Sequence, residues 1–144
     1  MANIEDYLIW RGDLTFEQDP FNEVDNLIIA QLAYVDLKDI IPAAGSGGKI
    51  TLEDACRDFF ELNDEQELEL VRSFIWYCPF FMRKMARTRR FSNIILSNYA
   101  VYNNTEKEVQ FGAFLAELGD GSVYVDFMGT DDSLIGWKED FNMS

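Results

Sequence analysis

Apolar positions in the first part of the chain follow the period of an amphipathic helix. Across residues 21–37 they recur at steps of three and four, which places them on one face of a helix. Pro20 stands just before this segment, where its fixed φ suits a helix entry. Glu23 and Asp25 favour the positive N-terminal end of the same helix. The pattern therefore predicts a helix over residues 21–37.

Further helices are predicted between this segment and residue 90. Thr51 with Asp54 three positions later resembles a capping box and predicts a helix to about Leu62. The next helix is predicted to begin at residue 63 or 64, and Pro79 must break or restart it, because proline has no backbone N–H to donate. A short basic helix should then run to about Arg90.

The period changes after residue 91 from that of helices to that of strands. Residues 93–102 and 109–118 are two extended runs rich in β-branched and aromatic side chains. Residues 119–121, Gly-Asp-Gly, are a tight hairpin signal. Val123, Val125 and Phe127 then occupy every second position in a segment that ends at residue 129, the period of a strand. Three consecutive antiparallel strands are therefore expected, followed by a short helix from about residue 134.

These elements predict a single α+β domain with helices packed on an antiparallel β-meander. The expected order is a mainly helical part over residues 1–90, a three-stranded meander over 91–130 and a helix start over 131–144. A length of 144 residues fits one domain. Residues 42–48 are rich in glycine and small side chains and predict a surface loop.

Composition removes several kinds of chemistry from this chain. It contains no histidine, which excludes a His-dependent triad and any His metal site within these residues. Its two cysteines, Cys56 and Cys78, are too few for a disulfide framework or a four-Cys zinc site. The acidic start lacks the features of a signal peptide, and no apolar run reaches the length of a membrane span. We therefore expect a cytoplasmic protein with free thiols, no metal and no cofactor.

Charge is unevenly distributed along a chain whose net charge is −14. Such an acidic balance argues against nucleic-acid binding. Residues 71–100 nevertheless carry six basic and no acidic side chains, with most of them in the run 83–90. This run could bind a phosphate, an anionic lipid surface or an acidic partner, or it could be the solvated end of a helix. The acidic segments on either side favour a structural role for the run 83–90, in which its positive charges lie against acidic parts of the same fold.

The end of the third predicted strand is the most specific local feature. The strand leads into Gly129 and Thr130, and a helix-start signal follows. Glycine allows a sharp turn and leaves backbone N–H groups accessible, and such donors suit a developing negative charge. An ordinary strand-to-helix turn is the alternative that these residues alone favour.

Two stretches of the chain resemble lipase-like proteins. Residues 127–130 (Phe-Met-Gly-Thr), followed by Trp137 and Asp140, resemble the class 3 lipase pattern Phe-Arg-Gly-Ser/Thr with a later Trp-x-x-Asp. Residues 7–16 and 20–27 look like the opening of a bacterial family of lipase-like α/β-hydrolases that is catalogued as a domain of unknown function.

This resemblance implies a serine hydrolase that acts on ester-like bonds. It assigns the oxyanion hole to Gly129, Thr130 and Asp131. Asp140 would support the loop that carries them, and an apolar lid would be formed by Leu134, Ile135 and Trp137. The nucleophile elbow of the family is expected downstream of residue 141. Met128 departs from the pattern, because the family has Arg there.

The resemblance therefore predicts the N-terminal, oxyanion-side portion of a lipase- or esterase-like hydrolase. No Gly-x-Ser-x-Gly and no His occur within the 144 residues, so these residues by themselves should be inactive. The expected partners are a missing C-terminal hydrolase half, an ester or lipid substrate of the complete protein, and a second copy of the chain. The alternative is a non-catalytic interaction module that reuses a hydrolase N-terminus and binds through an exposed sheet edge.

Overall fold

The computed structural model describes residues 4–67, 78–104, 106 and 109–129. The helices within these residues are α1 (Ile4–Arg11), α2 (Glu23–Ala30), α3 (Leu52–Leu62), α4 (Cys78–Ala86) and α5 (Arg89–Ser92). A 3₁₀ helix, Gln31–Tyr34, follows α2 directly, and residues 65–67 are also helical. The strands are β1 (Lys49–Thr51), β2 (Ile95–Asn104), β3 (Val109–Glu117) and β4 (Val123–Gly129). The chain is therefore an α+β fold, as the sequence pattern predicts.

The strands form one antiparallel sheet in the order β1-β2-β3-β4. The predicted meander is β2 to β4. The short strand β1 was not expected from the sequence, because it has only three residues and leads directly into α3. Its residue Ile50 lies opposite Leu96, which in turn lies opposite Ala116 and through it Tyr124. This row of cross-strand neighbours aligns the four strands.

The hairpin between β3 and β4 forms where the glycines predict it. Gly119 and Gly121 have φ values of 89° and 95°, which favour glycine over residues with a side chain. Asp120 Oδ1 accepts a hydrogen bond of 2.9 Å from the backbone N–H of Ser122. The tight turn fixes the register in which Glu117 faces Val123.

The first predicted helix is shorter than residues 21–37. Asn22 caps α2, since its side chain accepts from the N–H groups of Val24 and Asp25 while Asp25 accepts from the N–H of Asn22. After Ala30 the helix tightens to the 3₁₀ form, and Val35 has extended backbone. Tightening of the last turn is a common way for a helix to pair its final carbonyl groups.

The predicted basic helix is two helices with a break at Thr88. The Thr88 hydroxyl accepts a 3.1 Å hydrogen bond from the N–H of Phe91, so Thr88 is the N-cap of α5. The caps of α3 and α5 are alike, because Thr51 accepts from the N–H of Asp54 at 3.2 Å. The prediction that α3 begins after Thr51 and ends near Leu62 is confirmed.

The hydrophobic core lies between the helices and one face of the sheet. Its largest completely buried side chains come from helices, loops and strands alike; among them are Ile28, Leu32, Leu37, Phe81, Phe91, Leu96 and Phe114. The 3₁₀ helix and α2 pack against β4. Strand β4 thus has one face toward the core.

Candidate functional site

Strand β4 brings the chain to the predicted oxyanion site. It pairs regularly with β3, from Val123 opposite Glu117 to Gly129 opposite Phe111. Gly129 lies at the end of the described strand. It is also the last residue of this part of the chain that the structure describes.

The remaining predicted site residues lie outside the described residues. They are the oxyanion candidates Thr130 and Asp131, the loop support Asp140, and the lid candidates Leu134, Ile135 and Trp137. The predicted helix from about residue 134 also falls there. These assignments stay predictions.

Side chains of β4 alternate between the core and solvent. Asp126 is only 2% exposed, and Tyr124 is half-buried against the core. Val123 and Val125 on the opposite face are 53% and 43% exposed. The face of β4 that lies against the helices thus carries the polar residue of the strand, while the apolar alternation faces outward.

Asp126 lies three residues before Gly129, and the sequence pattern does not reveal that it is buried. The alternation indicates that Asp126 lies on the opposite face of β4 from Val123 and Val125. A charge on that face would weakly discourage pairing with the strand of another chain. That side is the core. Its Oδ2 is buried without a hydrogen-bond partner, and burial raises the pKa of the carboxyl to about 8. Asp126 is therefore a proton-holding group at neutral pH rather than an exposed charge.

A buried ion pair joins α2 to α5. Arg90 donates to Asp25 from two nitrogens, Nε to Oδ1 at 2.9 Å and Nη2 to Oδ2 at 2.6 Å, and both side chains are completely buried. The guanidinium also lies 4.3 Å from the ring centroid of Phe16. A two-point contact of this kind holds both charges in a fixed geometry.

Arg90 also organises the loop between α1 and α2. Its remaining N–H groups donate to backbone carbonyls at distances of 2.9–3.4 Å; the acceptors are those of Leu14, Thr15, Asp19 and Pro20. A solvated helix end is therefore the wrong interpretation for Arg90. Its role is structural, and the partner that neutralises it is 65 residues away in the sequence.

The Cys56 thiol is free, buried and unreactive in character. Burial raises its pKa to about 11, although the positive charges of Arg83 and Arg87 oppose the rise. A thiol with such a pKa is almost entirely protonated at neutral pH and is a poor nucleophile. The side chain of Cys78, the first residue of α4, lies outside those that the structure describes.

The described residues contain no group of three or more His, Cys, Asp or Glu side chains placed to hold a metal ion. No helix among them is long and apolar enough to cross a membrane. What the described part of the site offers chemically is a hairpin strand that extends to Gly129, with a buried carboxyl group three residues earlier.

Comparison with protein families finds a match to the C-terminal part of the chain. A family model described as Mbeg1-like, a family of unknown function, matches residues 85–144. Neither the curated proteins nor the solved structures contain a significant match to this chain. The matched region begins near the end of α4 and includes α5 and strands β2 to β4.

Proposed function

We propose that this chain forms the oxyanion-side portion of a lipase- or esterase-like serine hydrolase, whose nucleophile and histidine lie outside these 144 residues. The observation that carries the proposal is the regular strand β4, which extends to Gly129, with the hydroxyl residue Thr130 next in the sequence. The free thiol of Cys56 fits a reducing cytoplasm as the setting.

The proposed chemistry uses backbone donors beyond the strand end. Gly129 has no Cβ, so a substrate oxygen can approach the backbone closely. The backbone N–H groups of Thr130 and Asp131 then stabilise the negative charge that develops on the substrate oxygen. One donor of this kind contributes about 2.7–4 kcal/mol to catalysis in a complete hydrolase. Under the same proposal, Asp140 supports the loop, and an apolar lid over the site is formed by Leu134, Ile135 and Trp137.

Fluorophosphonate labelling of the natural gene product tests this proposal. We expect intact mass and peptide mapping to find one labelled serine outside residues 1–144, because a Gly-x-Ser-x-Gly elbow does not occur within them. The 144-residue chain alone should remain unlabelled and should not hydrolyse a nitrophenyl ester. Gly129→Val in the natural product should reduce kcat at least tenfold, since the added side chain blocks approach to the donors.

The control for Gly129→Val is Ala44→Val, which adds apolar bulk at an exposed loop position distant in sequence. Stoichiometric labelling of a serine within residues 1–144 would contradict the proposal. So would a natural gene product that folds but neither reacts with the probe nor cleaves any ester.

The second candidate function, a non-catalytic interaction module, is favoured by the edge position of β4. Among the described residues, β4 pairs with β3 on one side only. An unpaired strand edge is a template for a strand of another chain. Exposed Val123 and Val125 add apolar surface beside that edge. We propose a second copy of this chain as the partner.

Val125→Lys should convert the proposed homo-oligomer to a monomer, because a charge beside an edge strand disfavours pairing. Light scattering at micromolar concentration measures the mass, with 16.7 kDa expected for a monomer. Leu27→Lys is the matched control, since Leu27 is an exposed apolar residue on α2. A wild-type chain that stays monomeric at every concentration refutes the oligomer.

A further inference from the structure

An open cleft of about 690 Å³ lies between α3 and the pair α4–α5. One wall carries the carboxylates of Glu53 and Glu61 from α3. The side formed by α4, α5 and the residues between them contributes Arg87, which follows α4, and Arg89 in α5. The cleft is thus acidic on one side and basic on the other, within the volume range of small-molecule sites.

Two further arginines at the cleft are already engaged with acidic side chains. Arg57 lies 3.1 Å from Asp54 and 3.2 Å from Asp58. Arg83 Nη2 lies 2.9 Å from Glu65 Oε1. These two arginines are therefore neutralised by their neighbours.

Arg87 and Arg89 differ from these two, because neither forms an ion pair with any residue in the described part of the chain. Both are exposed at the cleft. Thr88 between them is fixed as the cap of α5 by its bond to the N–H of Phe91, which holds the backbone that carries both. Two exposed arginines that flank one capped turn and line the same cleft are suited to bind an anion together.

The floor of the cleft is less polar than its walls. Cys56 is buried there with its thiol protonated, and Phe60 is half-buried beside it. Arg83 lies over the Phe60 ring, 4.7 Å from its centroid. A compact ligand can rest on this floor with polar groups at both ends.

We propose that this cleft binds a small phosphate ester that also carries amino or hydroxyl groups. The phosphate is held by Arg87 and Arg89, whose planar donors match its oxygens. The amino or hydroxyl groups donate to Glu53 and Glu61, because an ionised carboxylate accepts hydrogen bonds but donates none. The site is separate from the strand end at Gly129 and does not depend on the proposed hydrolase function.

The acidic wall selects against extended polyanions. A nucleic acid or an anionic membrane would bring many negative charges against Glu53, Glu61 and the overall charge of −14. A single phosphate with a cationic or hydroxylic end avoids that repulsion. This selectivity separates the proposal from a general basic patch.

Isothermal titration of the 144-residue chain with glucosamine 6-phosphate tests the proposal. We expect saturable binding that is tighter than binding of inorganic phosphate or glucosamine, and that weakens as salt is added. The double variant Arg87→Gln/Arg89→Gln should weaken binding at least tenfold. Lys38→Gln, which removes one exposed positive charge outside the cleft, should leave it unchanged. Unchanged thermal unfolding confirms that each variant is folded.

The acidic wall gives a second readout. Glu53→Gln/Glu61→Gln should reduce the preference for glucosamine 6-phosphate over inorganic phosphate, because the acceptors for the amine lose their charge. Equal binding by wild type and the arginine variant would overturn the proposal. Absence of binding at millimolar ligand would also overturn it, as would binding only to phosphatidylglycerol vesicles.

Discussion

Replacing Arg90 by Met should lower the free energy of unfolding by about 3–5 kcal/mol. The variant leaves the carboxylate of Asp25 completely buried without its cation. It also removes the donors to the carbonyls of the loop between α1 and α2. Both effects act on the folded state, so urea unfolding at pH 7 should show a lower midpoint with little change in slope.

Two comparison variants separate the buried ion pair from a general loss of charge. Arg89→Met removes the neighbouring exposed arginine and should change stability by no more than about 0.5 kcal/mol. Asp25→Asn combined with Arg90→Met should be more stable than Arg90→Met alone, since a neutral amide is less costly to bury than a carboxylate. Equal losses for Arg89→Met and Arg90→Met would contradict a specific role for the pair.

The sequence predicts the local elements of this fold well where chemistry between near neighbours decides them. Thr51 and the Gly119–Gly121 turn act within a few residues, and both are found as predicted. Strand β1 and the Asp25–Arg90 pair depend on contacts between distant segments. No local pattern distinguishes Arg90, which is buried, from Arg89, which is exposed, because the difference lies in what each meets after folding.

The candidate site likewise combines features that are evident in the sequence with features that depend on distant contacts. The glycine at the end of the described strand β4 is evident in the sequence, and the alternation shows that Asp126 and Val125 lie on opposite faces. Alternation alone does not say which face the helices cover. Apolar Val123 and Val125 would ordinarily indicate the buried face. The 3₁₀ helix and α2 instead pack where Asp126 points, so a carboxyl group becomes part of the interior.

Asp126→Asn should gain about 3–4 kcal/mol in free energy of unfolding relative to wild type as the pH rises from 4 to 7. The pKa of the folded carboxyl is about 8, against an ordinary value of 3.8, and burial is the cause. Well below pH 3.8 both the folded and the unfolded states hold the proton. Between pH 4 and pH 8 the unfolded state releases it first, so wild-type stability falls by up to about 1.4 kcal/mol per pH unit from this group. Asn resembles the protonated acid in shape and does not titrate.

Urea unfolding of wild type and Asp126→Asn at several pH values between 4 and 8 measures this difference directly. The gap between the two free energies should widen steadily as pH rises, whatever the other titrating groups contribute, because those groups are common to both proteins. Ala44→Ser, an exposed change that neither adds nor removes a titratable group, is the control and should keep a constant gap from wild type. A constant gap for Asp126→Asn would mean that the carboxylate is ionised at little cost in the folded protein. The widening gap would instead establish that β4 carries a neutral acid in the core, three residues before Gly129.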